Sequence, residues 1–138
     1  MINQLGERES KALLSGEWTG RLGCSDHGKP YIVPVHYLFD NDCVYVQSTP
    51  GHKIDVLRDN PNACLQVDEV RDDHWSSVLA FGLYEEVKDI KERERVMADM
   101  FKRWPQTPQT EPQTKKTAPD TIIFRIRVTD ITGVYENQ

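Results

Sequence analysis

The sequence predicts a mainly β (α+β) chain, a six-stranded antiparallel β-barrel with peripheral helices. Two observations carry that reading. Six segments are rich in Val, Ile and aromatic residues or alternate apolar with polar positions, and turn residues separate them. Helices are predicted only between the third and fourth strands, between the fifth and sixth, and ahead of the first, too few for a doubly wound parallel sheet.

Glu7 to Leu14 reads as a short helix ending near Gly16 and delivering the chain to Trp18. Thr19 to Ser25 is the first strand, Asp26-His27-Gly28 a turn, and Tyr31 to Phe39 the second strand. Asp40-Asn41-Asp42 turns the chain into Cys43 to Ser48, the third, and these three form a meander. Pro50-Gly51 breaks the sheet, and His52 to Asp59 is a short helix with Ile54 and Leu57 on one face, stopped by Asn60-Pro61. Ala63 to Val70 is the fourth strand, Arg71 to His74 a polar loop, and Ser76 to Val87 a long fifth strand whose Gly82 suggests a bulge or a close approach. Asp89 to Trp104 is the clearest helix, with Ile90, Met97, Phe101 and Trp104 on one stripe and i,i+4 charge pairs on a solvated face. Three copies of Pro-Gln-Thr make residues 105–120 an extended, mobile loop, either a lid or a surface insertion. Thr121 to Val128 is the sixth strand, and the chain finishes through Ile131 and Val134.

A length of 138 residues fits one domain, 1–138, with a sizeable core, and 38% hydrophobic against 28% charged residues is a folding composition. Seventeen Lys and Arg against 22 Asp and Glu leave a net charge of -5, so nucleic acid is not expected as a partner. No stretch approaches the ~20 apolar residues of a membrane helix and Met1 to Ser10 lacks the order of a secretory signal, so a soluble, cytoplasmic chain with no membrane partner is expected. Cys24, Cys43 and Cys64 are isolated among apolar neighbours and read as reduced core thiols. His27, His36, His52 and His74 lack zinc-site spacing, and no GxSxG elbow is present. Glu85/Glu86 and Asp72/Asp73 sit in polar runs and read as solvated, so neither a metal nor a catalytic acid or base is assigned.

Three features stand out. Pro34 lies inside Ile32-Val33-Pro34-Val35-His36, where it cannot donate a ladder bond; either the strand is an edge or bulged there, or a flat ligand lies along its backbone. His36, on the same face, is a sheet histidine or a functional one. Gln47-Ser48-Thr49-Pro50-Gly51-His52-Lys53 brings two hydroxyls, a glycine and a lysine to a helix start, a set that holds a phosphate or simply caps a turn. Trp75 opens the fifth strand, as a plain strand-start aromatic or as a ring that stacks on a ligand or a neighbouring subunit.

Taken together, Gly20-Arg21-Leu22-Gly23, Gly28-Lys29-Pro30-Tyr31-Ile32-Val33-Pro34-Val35, Val44-Tyr45-Val46-Gln47-Ser48, Gly51-His52-Lys53 and Leu57-Arg58-Asp59-Asn60-Pro61-Asn62-Ala63-Cys64 resemble the pyridoxamine 5'-phosphate oxidase-like, FMN-binding split-barrel family, nearest to its nitroimidazole-resistance members. The resemblance is dense from Thr19 to Val70 and weaker through Trp75 to Val87. It implies a six-stranded antiparallel split β-barrel forming a homodimer, with flavin mononucleotide in a groove at each subunit interface. It also implies that the isoalloxazine ring lies against Val33, Pro34, Val35 and His36, and that the phosphate meets Ser48, Thr49 and Lys53 beside His52. Gln47 then meets the ribityl chain or ring edge, and Trp75 reaches across the dimer. The arginine-rich phosphate site of the true oxidase is missing here, with only Arg58 close to Lys53, which speaks against vitamin B6 oxidation. What remains implied is an FMN-dependent, NAD(P)H-driven reductase of a nitro compound, quinone or oxygen, with small molecules as electron donor and acceptor. A non-catalytic flavin or haem carrier on the same barrel is the alternative, and a deazaflavin-dependent reductase a third reading.

Overall fold

The structure, a computed structural model, describes residues 1–103 and 120–137. Trp104 and the Pro-Gln-Thr loop expected at 105–120 lie outside the described residues, apart from Asp120. Among the described residues the elements are β1 (Asn3–Gln4), α1 (Glu7–Gly16), β2 (Thr19–Asp26), β3 (Lys29–His36), β4 (Leu38–Asp40), β5 (Cys43–Ser48), α2 (His52–Asp59), β6 (Asn62–Val70), β7 (His74–Glu86), α3 (Ile90–Arg103) and β8 (Ile122–Asn137). One antiparallel sheet runs β3-β2-β6-β7-β8-β5-β4, with β1 paired to β8.

Alternation puts Leu22, Val44, Val46, Leu65, Val67, Ala80, Phe124 and Ile126 on the inner face, and Leu14 of α1 with Ile54 and Leu57 of α2 completes that core. A second cluster lies outside the sheet, where Val96 and Met100 of α3 pack on Cys43, Tyr45 and Ile123. The mainly β, split-barrel-like fold is therefore present, but the sheet is not closed by a ladder and its details differ from the expectation.

The expected second strand, Tyr31 to Phe39, is two strands that part at Tyr37, whose ring is buried and whose hydroxyl donates to the Leu14 carbonyl at 2.5 Å. The expected meander is consequently interrupted: β3 bonds β2, whereas β4 bonds β5. The last strand does not stop at Val128 but continues to Asn137 along β7. On α3 the buried stripe is Val96 and Met100, while Ile90, at the helix start, is exposed. Its arginines are tied to the body: Arg93 and Arg103 donate to the carbonyls of Thr121 and Ser15, and Arg95 pairs with Asp40 and Asp99. The three cysteines are free thiols.

Gly82 is both a bulge and a close approach. The β7–β8 register shifts between Phe81 and Gly82, and a Cβ at Gly82 would lie 2.1 Å from the Arg127 carbonyl oxygen. Backbone cannot yield as a side-chain end does, so Gly82→Ala is expected to destabilise the fold by at least about 2 kcal/mol in urea unfolding. Gly16→Ala, where a Cβ meets nothing within 4 Å, is expected to be neutral or slightly stabilising.

Candidate functional site

β3 and β4 are the two edges of the sheet and are also consecutive in the chain, with only Tyr37 between them. The sheet must therefore curl until its edges meet at that residue. β4 covers β5 only from Cys43 to Tyr45. Beyond it, among the described residues, no ladder joins Val46, Gln47 and Ser48 to Pro34, Val35 and His36. The resulting split is a cleft of about 390 Å³ lined by Pro34, Val35, His36, Gln47, Ser48, Thr49, Lys53 and Thr121. Pro34 is tolerated because an edge position costs no ladder bond.

Lys53 is the cation of this cleft. It is half-buried in the first turn of α2, and burial pulls its ammonium below the ordinary lysine value. Among the described residues no carboxylate makes an ion pair with it, and burial raises the pKa of the nearby Cys24, which keeps that thiol neutral. The helix start beside it is also without a side-chain cap: Gly51 occupies the N-cap, and Ser48 spends its hydroxyl proton on the Thr49 carbonyl at 2.8 Å. By contrast, the first turn of α3 is capped by Asp89, whose carboxylate accepts the Glu92 N–H at 3.0 Å. An uncapped helix start, the Thr49 hydroxyl and an ammonium that lacks a carboxylate form a site complementary to a phosphate.

At the opposite end of the cleft, the exposed His36 ring stacks on Trp18 with centroids 4.8 Å apart and planes inclined by 25°. The stack fixes the imidazole plane against the cleft wall.

Seven of the residues singled out from sequence, Pro34, Val35, His36, Gln47, Ser48, Thr49 and Lys53, are brought together here. Val33 is not at the cleft surface, since it packs against the inner core. His52 lies just outside the lining, where its Nε2 meets the Asp26 carboxylate at 3.0 Å and its ring and that of Tyr31 pack edge-to-face with centroids 5.1 Å apart. Trp75 stands near the far end of β8, paired with Glu136, whereas the cleft adjoins the Ile122 end of that strand. Thr121 was not singled out from sequence. A hydroxyl before an apolar strand is a weak signal, and only the pairing of Ser48 with Ile122 carries it to the cleft.

A family profile described as pyridoxamine 5'-phosphate oxidase matches residues 6–134. An uncharacterised protein of Rhizobium meliloti is 33% identical over 87 residues, covering 62% of this chain; the match spans only 58% of that protein's length. Among solved structures, a FAD-binding protein from Mesorhizobium loti is 29% identical, with a TM-score of 0.83 over 100% of this chain and 98% of that one. A protein described as a candidate for 5-nitroimidazole antibiotic resistance, from Bacteroides thetaiotaomicron, superposes with a TM-score of 0.82 at 19% identity, over 98% of this chain and 87% of that one, and thus shares its fold. The split sheet described above is the fold of these proteins, and with the profile running from residue 6 to 134 the chain belongs to the pyridoxamine 5'-phosphate oxidase family.

Proposed function

We propose that the cleft holds the flavin mononucleotide moiety of a flavin, FMN being its simplest form, and that the chain is an oxidoreductase working as a homodimer. The observation that carries the reading is Lys53, a half-buried ammonium with no carboxylate pairing among the described residues, lining the cleft together with Thr49 in the first turn of a helix whose start is uncapped. A phosphate satisfies all of these at once. The described FAD-binding character of the Mesorhizobium loti protein, similar over the whole length of this chain, supports a flavin as the ligand.

When bound, a flavin supplies the two-electron chemistry that these side chains lack. Gln47, at the end of β5, offers an amide to the ribityl hydroxyls or the ring edge. The edge of β3 from Pro34 to His36 provides a flat wall for the ring, and the His36 imidazole, held by Trp18, is placed to give a proton to an electron acceptor entering the cleft. Nitro compounds, quinones and oxygen are acceptors of the kind this arrangement suits, with NAD(P)H as the donor.

The homodimer is supported by the outer face. Ile32, Gly23, Cys64 and Phe81 oppose one another in a single row across β3, β2, β6 and β7, so their side chains point the same way. Ile32 and Phe81 are 68% and 39% exposed, and Leu83 further along β7 is 46% exposed. An apolar row on a strand edge is the surface a second copy would cover. Trp75 is the residue proposed to reach the partner's cleft.

Three outcomes are expected. Lys53→Ala should weaken FMN binding by about 1.5 to 3 kcal/mol, roughly 10- to 150-fold, in an absorbance titration; an unchanged affinity would move the phosphate elsewhere. Because burial lowers the Lys53 pKa, its charge is lost as pH rises, so FMN affinity should begin to fall at a pH below that at which an ordinary lysine titrates, and Lys53→Arg should push that fall upward. Phe81→Asp should convert a dimer to a monomer in light scattering, and a wild-type protein that is already monomeric would end the interface reading. Anaerobic NADPH bleaching of the bound flavin separates the reductase from a carrier.

A further inference from the structure

We infer that Thr121 is a further phosphate-binding residue of the cleft, and that Arg93 of α3 is the positioning residue that holds it there. This rests on the flavin reading above and deepens it, by bringing α3 into the making of the site. The last ladder pair of β5 with β8 is Ser48 with Ile122, so the next residue on each side, Thr49 and Thr121, leaves the sheet at the same place, and both line the cleft with Lys53. Thr121 is buried, yet its hydroxyl makes no hydrogen bond among the described residues and is not sealed off as the unpartnered hydroxyls of Ser10 and Tyr84 are. An unspent donor with access to the cleft thus stands across from Thr49.

The sheet does not fix this residue, since Thr121 lies one position outside β8. Its carbonyl instead accepts a hydrogen bond from the Arg93 guanidinium at 2.8 Å, and the other arm of the same fork donates to the Val87 carbonyl at 3.4 Å. The Val87 N–H in turn donates to the Ile123 carbonyl at 2.8 Å, so Arg93 closes the junction where the chain leaves β7 and enters β8. Asp89, one turn before it, spends its carboxylate on the Glu92 N–H, and Arg93 makes no ion pair among the described residues. Its charge is therefore committed to two main-chain carbonyls, on a helix anchored by the buried Val96 and Met100. Threonine is β-branched and has few χ1 settings, so a fixed carbonyl leaves its hydroxyl few directions. A lysine has no planar fork with which to span both carbonyls.

The experiment is a calorimetric titration of the full chain with FMN and, separately, with riboflavin, which lacks the phosphate. Wild-type protein is expected to favour FMN. Thr121→Val should weaken FMN about tenfold and leave riboflavin unchanged, the scale of one hydrogen bond to a charged group, while Thr121→Ser, which keeps the hydroxyl, should retain the wild-type ratio. Arg93→Met should weaken FMN by about threefold or more, again sparing riboflavin. FMN affinity untouched by Thr121→Val overturns the binding role, and an Arg93→Met loss shared equally by the two ligands overturns the positioning role, because a merely structural arginine would move both. Equal wild-type affinities remove the phosphate contact while the flavin reading stands. Failure of both ligands to bind overturns the flavin reading and this one with it. Should Arg93→Met fail to fold, Arg93→Lys, which keeps the charge without the fork, reads the same difference.

Discussion

Tyr37 sets the shape of this molecule. Its backbone N–H donates to the Trp18 carbonyl at 3.0 Å and its hydroxyl to the Leu14 carbonyl, so one residue ties the first helix, the start of β2 and the junction of two strands. Burial drives its phenol above the ordinary tyrosine range, which keeps the donor protonated at any physiological pH. Because β3 ends and β4 begins on either side of this anchor, the sheet's two edges cannot drift apart, yet they cannot zip together either. The cleft is the space left by that compromise, and the stacking of His36 on Trp18 follows from the same anchor, since Trp18 and His36 flank the bonds Tyr37 makes.

Within the cleft, electrostatics and packing act in sequence. The inner core fixes β3 and α2 through Val35, Ile54 and Leu57, and this holds Lys53 in a partly desolvated position that a free lysine would avoid. The exposed flank of α2 is tied to the β2–β3 turn by charge instead. His27 and His52 both reach the Asp26 carboxylate, and their hydrogen bonds hold it below the usual aspartate range. The helix that carries the lysine is thus fixed by apolar contacts below and by polar ones beside it.

Much of this was legible in the sequence where the determining residues are neighbours in the chain. β5 and α2 occupy the expected spans, Cys43–Ser48 and His52–Asp59, because alternation, Pro50-Gly51 and Asn60-Pro61 are local signals. The donor set from Ser48 to Lys53 was visible for the same reason, and Gly82 announced its bulge through its place in a long strand. The break at Tyr37 was not, since an aromatic residue between β-forming neighbours looks like continuous strand, and what anchors its side chain is a carbonyl on Leu14, far away in sequence. The continuation of β8 past Thr129-Asp130 was hidden because polar residues there face solvent along a long partner strand. Thr121 and the Trp18–His36 stack belong to the same class: their roles come from pairings made between distant segments.

The cleft draws its walls from residues 34–36, 47–53 and 121, and that has a thermodynamic consequence. Neighbouring segments could form a partial pocket in an unfolded chain, but these three meet only when β3, β5 and β8 have all found their places. Whatever occupies the cleft therefore recognises the native state alone, so occupancy adds to folding free energy by mass action, by about 2.7 kcal/mol when free ligand stands at a hundred times its dissociation constant. A ligand in the cleft would in that sense be a late structural member of the fold, bridging two strands that no hydrogen-bond ladder joins among the described residues.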